Sequence, residues 1–146
     1  MAKLKVYSYQ VGPVCTNCYF AANTETKEAI IIDPGAAADY LIEQIEKEGL
    51  RPVAVLLTHA TAAADVASHF GVQIYAHELE KETLENPALN LCAMAGTSGL
   101  VFHADVFVKD GEMLDLAGFS IRVLHTPGHT VGGVLLLLEG KCAVFR

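Results

Sequence analysis

Two short stretches of this chain, Ala29 to Ile32 and Pro52 to Leu57, are apolar at every position, and each runs straight into a loop. A strand with one face in water alternates in polarity, so stretches that are apolar throughout belong to strands covered on both faces. Between them, Ala37 to Glu48 has helical spacing. Leu41, Ile42 and Ile45 share a stripe, Glu43 and Lys47 form an i,i+4 pair, and Gly49 is placed to end the helix. Thr61 to Phe70 reads as a second helix, with Thr61 as N-cap and Gly71 at its end, and Val72 to Ala76 reads as the next strand. This order of strands and helices packs helices on a sheet, which makes the chain an α/β protein.

The flanking segments read as more sheet. Leu4 to Tyr9 alternate as a half-buried strand, and Asn17 to Ala22 with Glu28 to Ile32 form a hairpin around the polar turn Asn23 to Lys27. His77 to Glu85 reads as a charged surface helix. Asn86 to Gly99, which contains Pro87, Gly96 and Gly99, reads as a long loop of the kind used as a substrate lid. Beyond it, Asp105 to Val108, Glu112 to Leu116, Phe119 to Leu124 and Gly132 to Leu138 are strands on short turns, with Asp110-Gly111 the strongest hairpin signal. Ala143 to Phe145 is a last strand that stops with the chain. There is no internal repeat or linker, and 146 residues suit one domain spanning positions 1–146.

Composition narrows the function classes. Apolar residues make up 52%, enough for a buried core, yet the apolar runs, Val134 to Leu138 among them, are only five or six residues long. A membrane-spanning helix needs about 20 such residues, so no membrane partner is expected. Met1 to Val6 alternate Lys with apolar residues and hold no signal-peptide core, which points to a cytoplasmic protein. The net charge of −7, with ten Lys and Arg that do not cluster, excludes nucleic acid as a partner. Cys15 and Cys18 form a C-x-x-C pair, but it leads into a strand rather than a helix, and no second pair completes a zinc site. They read as buried or half-buried thiols.

Two loops can carry chemistry, because each leaves the C-terminal end of an apolar strand, where open α/β sheets gather ligands. One begins at Leu56-Leu57-Thr58-His59, the other at Leu124-His125-Thr126-Pro127-Gly128-His129-Thr130. Pro127 and Gly128 make a tight turn that would aim the His129 imidazole. Histidines in two such junctions are natural metal ligands.

Taken in order, I-I-I-D-P-G at Ile30 to Gly35, L-L-T-H at Leu56 to His59, Y-A-H-E at Tyr75 to Glu78 and L-H-T-P-G-H-T at Leu124 to Thr130 resemble the metallo-β-lactamase-fold hydrolases, in particular the glyoxalase II-like thioesterases. The resemblance covers nearly the whole chain, and T-P-G-H-T is its most specific piece. It implies a metallo-β-lactamase-like αββα sandwich with its C-terminal part missing, a small acyl or thioester substrate, and zinc, iron or manganese as cofactor. Such a metal lowers the pKa of a bound water to about 7 and so supplies hydroxide to a polarised carbonyl.

Carried over residue by residue, His59 matches the first histidine of the family's T-H-x-H-x-D-H motif, and His129 matches the histidine of T-P-G-H-T. Ala60-Thr61-Ala62-Ala63-Ala64 then lack the second histidine, the Asp and the third histidine. The family's bridging Asp and final histidine would follow the last strand. Activity of the chain as written is therefore expected to be impaired. Asp65 and His69, four apart on one helix face, could join His59 and His129 in a new four-ligand site; the alternative is a solvated face with Ala62, Val66 and Phe70 inward. His77, His103 and His125 read as structural or exposed, and Asp33 as a brace for the D-P-G turn rather than an acid or base. Two other functions stay open. One is a non-catalytic binding module that self-associates as a homo-oligomer through uncovered sheet surface. The other is an engineered or incomplete version of an enzyme, suggested by the alanine run and the early stop.

Overall fold

A computed structural model of the chain describes residues 3–11, 16–34, 37–58, 64–78, 104–125, 134–138 and 143–145. Its strands are β1 (Leu4–Val11), β2 (Thr16–Asn23), β3 (Glu28–Ile32), β4 (Arg51–Leu56), β5 (Ile74–His77), β6 (Val106–Val108), β7 (Met113–Leu116), β8 (Phe119–His125), β9 (Val134–Leu138) and β10 (Ala143–Phe145). Helix α1 (Ala38–Lys47) joins β3 to β4, and α2 (Ala64–Phe70) lies between β4 and β5. The first six strands form one sheet in sequence order; the other four form a second sheet in the order β10-β9-β8-β7. Strands β1 to β3 are antiparallel, whereas β3, β4, β5 and β6 run parallel.

The all-apolar β3 explains the layering. Ala29 and Ile31 point into a core shared with Leu41 and Ile45 of α1 and Val66 and Ala67 of α2. Ile30 and Ile32 point the other way, against Phe119, Ile121 and Val123 of β8 and Leu136 and Leu138 of β9. A period-two strand between a helix layer and a second sheet must be apolar on both faces, as its sequence is. Each fully buried Ile or Leu here contributes about 1.5–3 kcal/mol. The described residues thus form the helix, sheet and sheet layers of the expected αββα sandwich.

Two expectations are corrected. Asp110-Gly111 does not close a hairpin, because β6 belongs to the six-stranded sheet and β7 to the other. The chain must change sheets there to bury Val108 and Leu114 in the same inter-sheet core. The tight hairpin is β7–β8, turning at Ala117 and Gly118 with φ of 55° and 82°, the left-handed pair that suits strand twist. The carbonyl of Ala117 accepts a hydrogen bond from Asn23 Nδ2 at 2.9 Å, a buried tie from β2 to this turn. His77, expected to start a surface helix, is instead the buried last residue of β5, paired with Val108 of β6. Residues 79–85 of that expected helix, and the expected loop over 86–99, lie outside the described residues.

Candidate active site at the C-terminal edge of the sheets

Parallel strands in register bring their C-terminal ends to one edge. Ile32 pairs with Leu56, Leu56 with Tyr75, and Tyr75 with Val106. Asp33, Leu57-Thr58 and His77 therefore stand side by side where β3, β4 and β5 end. Ligands gather at this edge in sheets of this kind.

Asp33 is buried, with φ of 54°, and its backbone N–H donates to the Leu56 carbonyl at 3.1 Å. Its carboxylate reaches across to the next strand. Oδ1 accepts the Thr58 backbone N–H at 2.8 Å, and the Thr58 hydroxyl donates to Oδ2. A buried carboxylate is tolerated when strong donors satisfy it, and these bonds do so. Asp33 thus braces the start of the loop after β4, whereas Gly35 of the D-P-G turn it was expected to brace lies outside the described residues. The residue it pins, Thr58, directly precedes His59.

The second sheet meets the same edge through β8. The ring of His125 stacks on that of His77, with centroids 4.4 Å apart and planes 9° from parallel. His125 donates its backbone N–H to Asp110 Oδ1 at 2.7 Å. Sequence reading takes both histidines as structural or exposed, and it misses their meeting. The available signal was the place of each at the end of a strand that leads to the same edge.

Other expected site residues are placed as follows. Asp65 and His69 are exposed on α2. His69 points toward α1, where its Nε2 lies 3.6 Å from Glu46 Oε2, and its ring meets Phe70 edge-on. Val66 is buried and Phe70 packs against the helix-side core, as the solvated-face alternative requires. His59, Thr61, Ala62, His103 and His129 lie outside the described residues, as does Cys15. Cys18 is fully buried in β2; burial first, and then the nearby Asp33 charge, push its thiol well above the ordinary range, so it stays protonated. Among the described residues, no group of three or more His, Cys, Asp or Glu stands together as a metal site.

The sequence profile of the metallo-beta-lactamase superfamily matches residues 11–145, almost the entire chain. The chain belongs to the metallo-beta-lactamase superfamily. Among curated superfamily proteins, it is 37% identical over 141 residues to the hydroxyacylglutathione hydrolase GloC of Haemophilus influenzae, covering 88% of this chain and 64% of that one. Among solved structures, the BLEG-1 B3 metallo-beta-lactamase matches with a TM-score of 0.87 at 33% identity, over 96% of this chain and 70% of that one. A superfamily structure solved in a di-iron-bound form matches with a TM-score of 0.77 at 30% identity, over 94% of this chain and 69% of that one. The chain spans 61–64% of the length of the curated metallo-hydrolase and hydroxyacylglutathione hydrolase that it resembles.

Proposed function

We propose that this chain has the frame of a metal-dependent hydrolase for thioesters or related small acyl compounds, and that as written it is impaired in that reaction. The observation that carries the reading is the convergence of two loop roots on one edge. Thr58, held by Asp33, leads to His59. His125, held by His77 and Asp110, leads toward His129. These are the loops whose counterparts hold metal in the family. A thioester substrate is favoured by the 37% identity to a hydroxyacylglutathione hydrolase, and zinc or iron by similar proteins described as a zinc-dependent hydrolase and as di-iron-bound.

The donors do not amount to the family's set. His59 and His129 match it, whereas Ala60 to Ala64 supply no second histidine, Asp or third histidine. Two imidazoles leave an ion mostly water-held and weakly bound.

The test is metal content by mass spectrometry, with hydrolysis of an acyl-glutathione thioester measured with and without chelator. The chain is expected to carry well under one metal per protein and to show little chelator-sensitive turnover. The triple variant Thr61→His/Ala63→Asp/Ala64→His should raise both. Background metal and no turnover in the triple variant would sink the hydrolase reading. Near-stoichiometric metal with turnover in the unaltered chain would overturn the impairment and bring Asp65 and His69 forward as ligands.

A further inference from the structure

Strand β1 lies at the edge of the six-stranded sheet. It pairs with β2 over eight residues without a break in register, and among the described residues no strand lies on its other side. The Lys3 carbonyl accepts the Thr24 N–H at 2.9 Å, and antiparallel ladders alternate, so the odd-numbered positions of β1 bond to β2. Leu4, Val6, Ser8 and Gln10 therefore turn their N–H and C=O groups outward. The other described sheet edges are short, with three residues in β6 and β10 and four in β7. A long edge without proline or bulge is a template for another strand, and β1 has neither. Its tyrosines, on the helix side of the sheet, are already held in place. The Tyr9 ring lies 4.8 Å from that of Phe20 and meets Tyr40 of α1 edge-on at 5.9 Å, and Lys5 Nζ stands 5.0 Å from the centre of the Tyr7 ring.

We propose that β1 pairs antiparallel with β1 of a second copy of this chain, about a two-fold axis through Tyr7, joining the two six-stranded sheets edge to edge. Centred there, all the outward groups find partners. Leu4 faces Gln10 and Val6 faces Ser8 of the second copy, and the reverse by symmetry, each pair exchanging two hydrogen bonds. Centring on Val6 or on Ser8 pairs only three of the four outward residues within β1. On the helix side Tyr7 then faces Tyr7, and Lys5 faces Tyr9. Charge favours the same register. Partial burial and Tyr40, and then Glu48, raise the pKa of the Tyr9 phenol, an effect that needs the Glu48 carboxylate near that ring. The Lys5 ammonium of the second copy thus meets an aromatic face beside a carboxylate. Registers centred on Lys5 or on Leu4 would instead set Lys5 against Lys5 or against Lys3, and like charges directly opposite are destabilising. The lysines select a register rather than block the edge. This pairing does not depend on the hydrolase reading.

Sedimentation velocity on the full chain at a series of concentrations tests it. The 15.6 kDa chain should approach twice that mass as its concentration rises through the micromolar range. Ser8→Pro removes an outward N–H and leaves the bonds to β2 in place, so it should keep its circular dichroism and weaken association roughly tenfold or more. Lys5→Glu sets a carboxylate against Glu48 of the second copy and should weaken it roughly three- to tenfold. The double variant Lys5→Glu/Glu48→Lys, which exchanges the two charges, should recover the original association. A chain that stays monomeric throughout that range would overturn the proposal. So would a dimer that Ser8→Pro leaves intact, which another surface, such as the outer face of the second sheet, must then hold. Should Ser8→Pro unfold the chain, the charge exchange decides alone: a double variant no better associated than Lys5→Glu overturns the pairing.

Discussion

Asp33 brings a carboxylate into a place that is almost free of water, and it is held there by the amide and hydroxyl of Thr58. Hydrogen bonds to a charged group contribute about 1.5–3 kcal/mol each, and a buried donor left without its acceptor costs about 1–3 kcal/mol. Asp33→Ala removes the acceptor for both Thr58 donors. It should lower stability by about 2–3 kcal/mol, read as a fall in the urea midpoint at unchanged slope. Asp33→Asn keeps one oxygen able to accept the Thr58 N–H and should lose roughly half as much. Equal losses in the two variants would show that the carboxylate's bonds to Thr58 do not carry its contribution. The same side chain links stability to the candidate site, because the residue it pins stands next to His59.

Both helices stop in the same way. In α1, Gly49 donates its N–H to the Glu46 carbonyl and Leu50 to that of Ile45, each at 3.1 Å. In α2, Gly71 donates to Ser68 at 3.3 Å and Val72 to Ala67 at 3.0 Å. These are the paired bonds of a Schellman ending, with the glycines at φ of 69° and 67°. A Cβ at Gly49 would meet nothing within 4 Å, so any cost of adding one is conformational. Gly49→Ala should therefore destabilise by about 1 kcal/mol, visible as a lower thermal midpoint without loss of helix in circular dichroism. A neutral substitution would mean that the turn adopts another backbone conformation. The endings matter to the site because they return the chain to β4 and β5, the strands that deliver Thr58 and His77 to the edge.

At the scale of the whole molecule, the core controls how stability responds to alkali. Burial, with Asp33 nearby, raises the folded-state pKa of Cys18 far above that of an ordinary thiol. In the unfolded chain the thiol ionises near its usual value of about 8.5. The folded state then binds the extra proton, so stability is fully present below that value and falls as pH rises through it, by up to about 1.4 kcal/mol per pH unit. The Tyr9 phenol, pushed up by partial burial and then by Tyr40, acts in the same direction at higher pH. Urea midpoints measured between pH 7 and 10 should fall with pH in the unaltered chain and fall less steeply in Cys18→Ala. Parallel slopes in the two proteins would remove Cys18 as the cause. Among the described residues, no helix is long and apolar enough to cross a membrane.

How much of this was legible beforehand follows from the range of each interaction. The apolar runs at Ala29–Ile32 and Pro52–Leu57, the stripe on α1 and the glycines at 49 and 71 are local patterns. They announced buried strands, a helix face and two helix ends without reference to the rest of the chain. The T-H and T-P-G-H-T segments likewise marked the candidate site and its superfamily, and Thr61, Ala63 and Ala64 marked what it lacks. The sheet change at Asp110-Gly111 was not legible, because a turn dipeptide records the local backbone bend and not which sheet receives the next strand. The short turn between Leu116 and Phe119 was expected, but Ala117-Gly118 is a weaker hairpin signal than Asp110-Gly111, since Ala is an unusual choice for a positive φ. Asp33 meeting Thr58, Asn23 meeting Ala117 and His77 meeting His125 join residues 25, 94 and 48 positions apart. The sequence by itself determined the main strands, the helices α1 and α2, and the superfamily. Which strand ends stand together, and which side chains hold them, was decided only when both faces of β3 were buried between the helices and the second sheet.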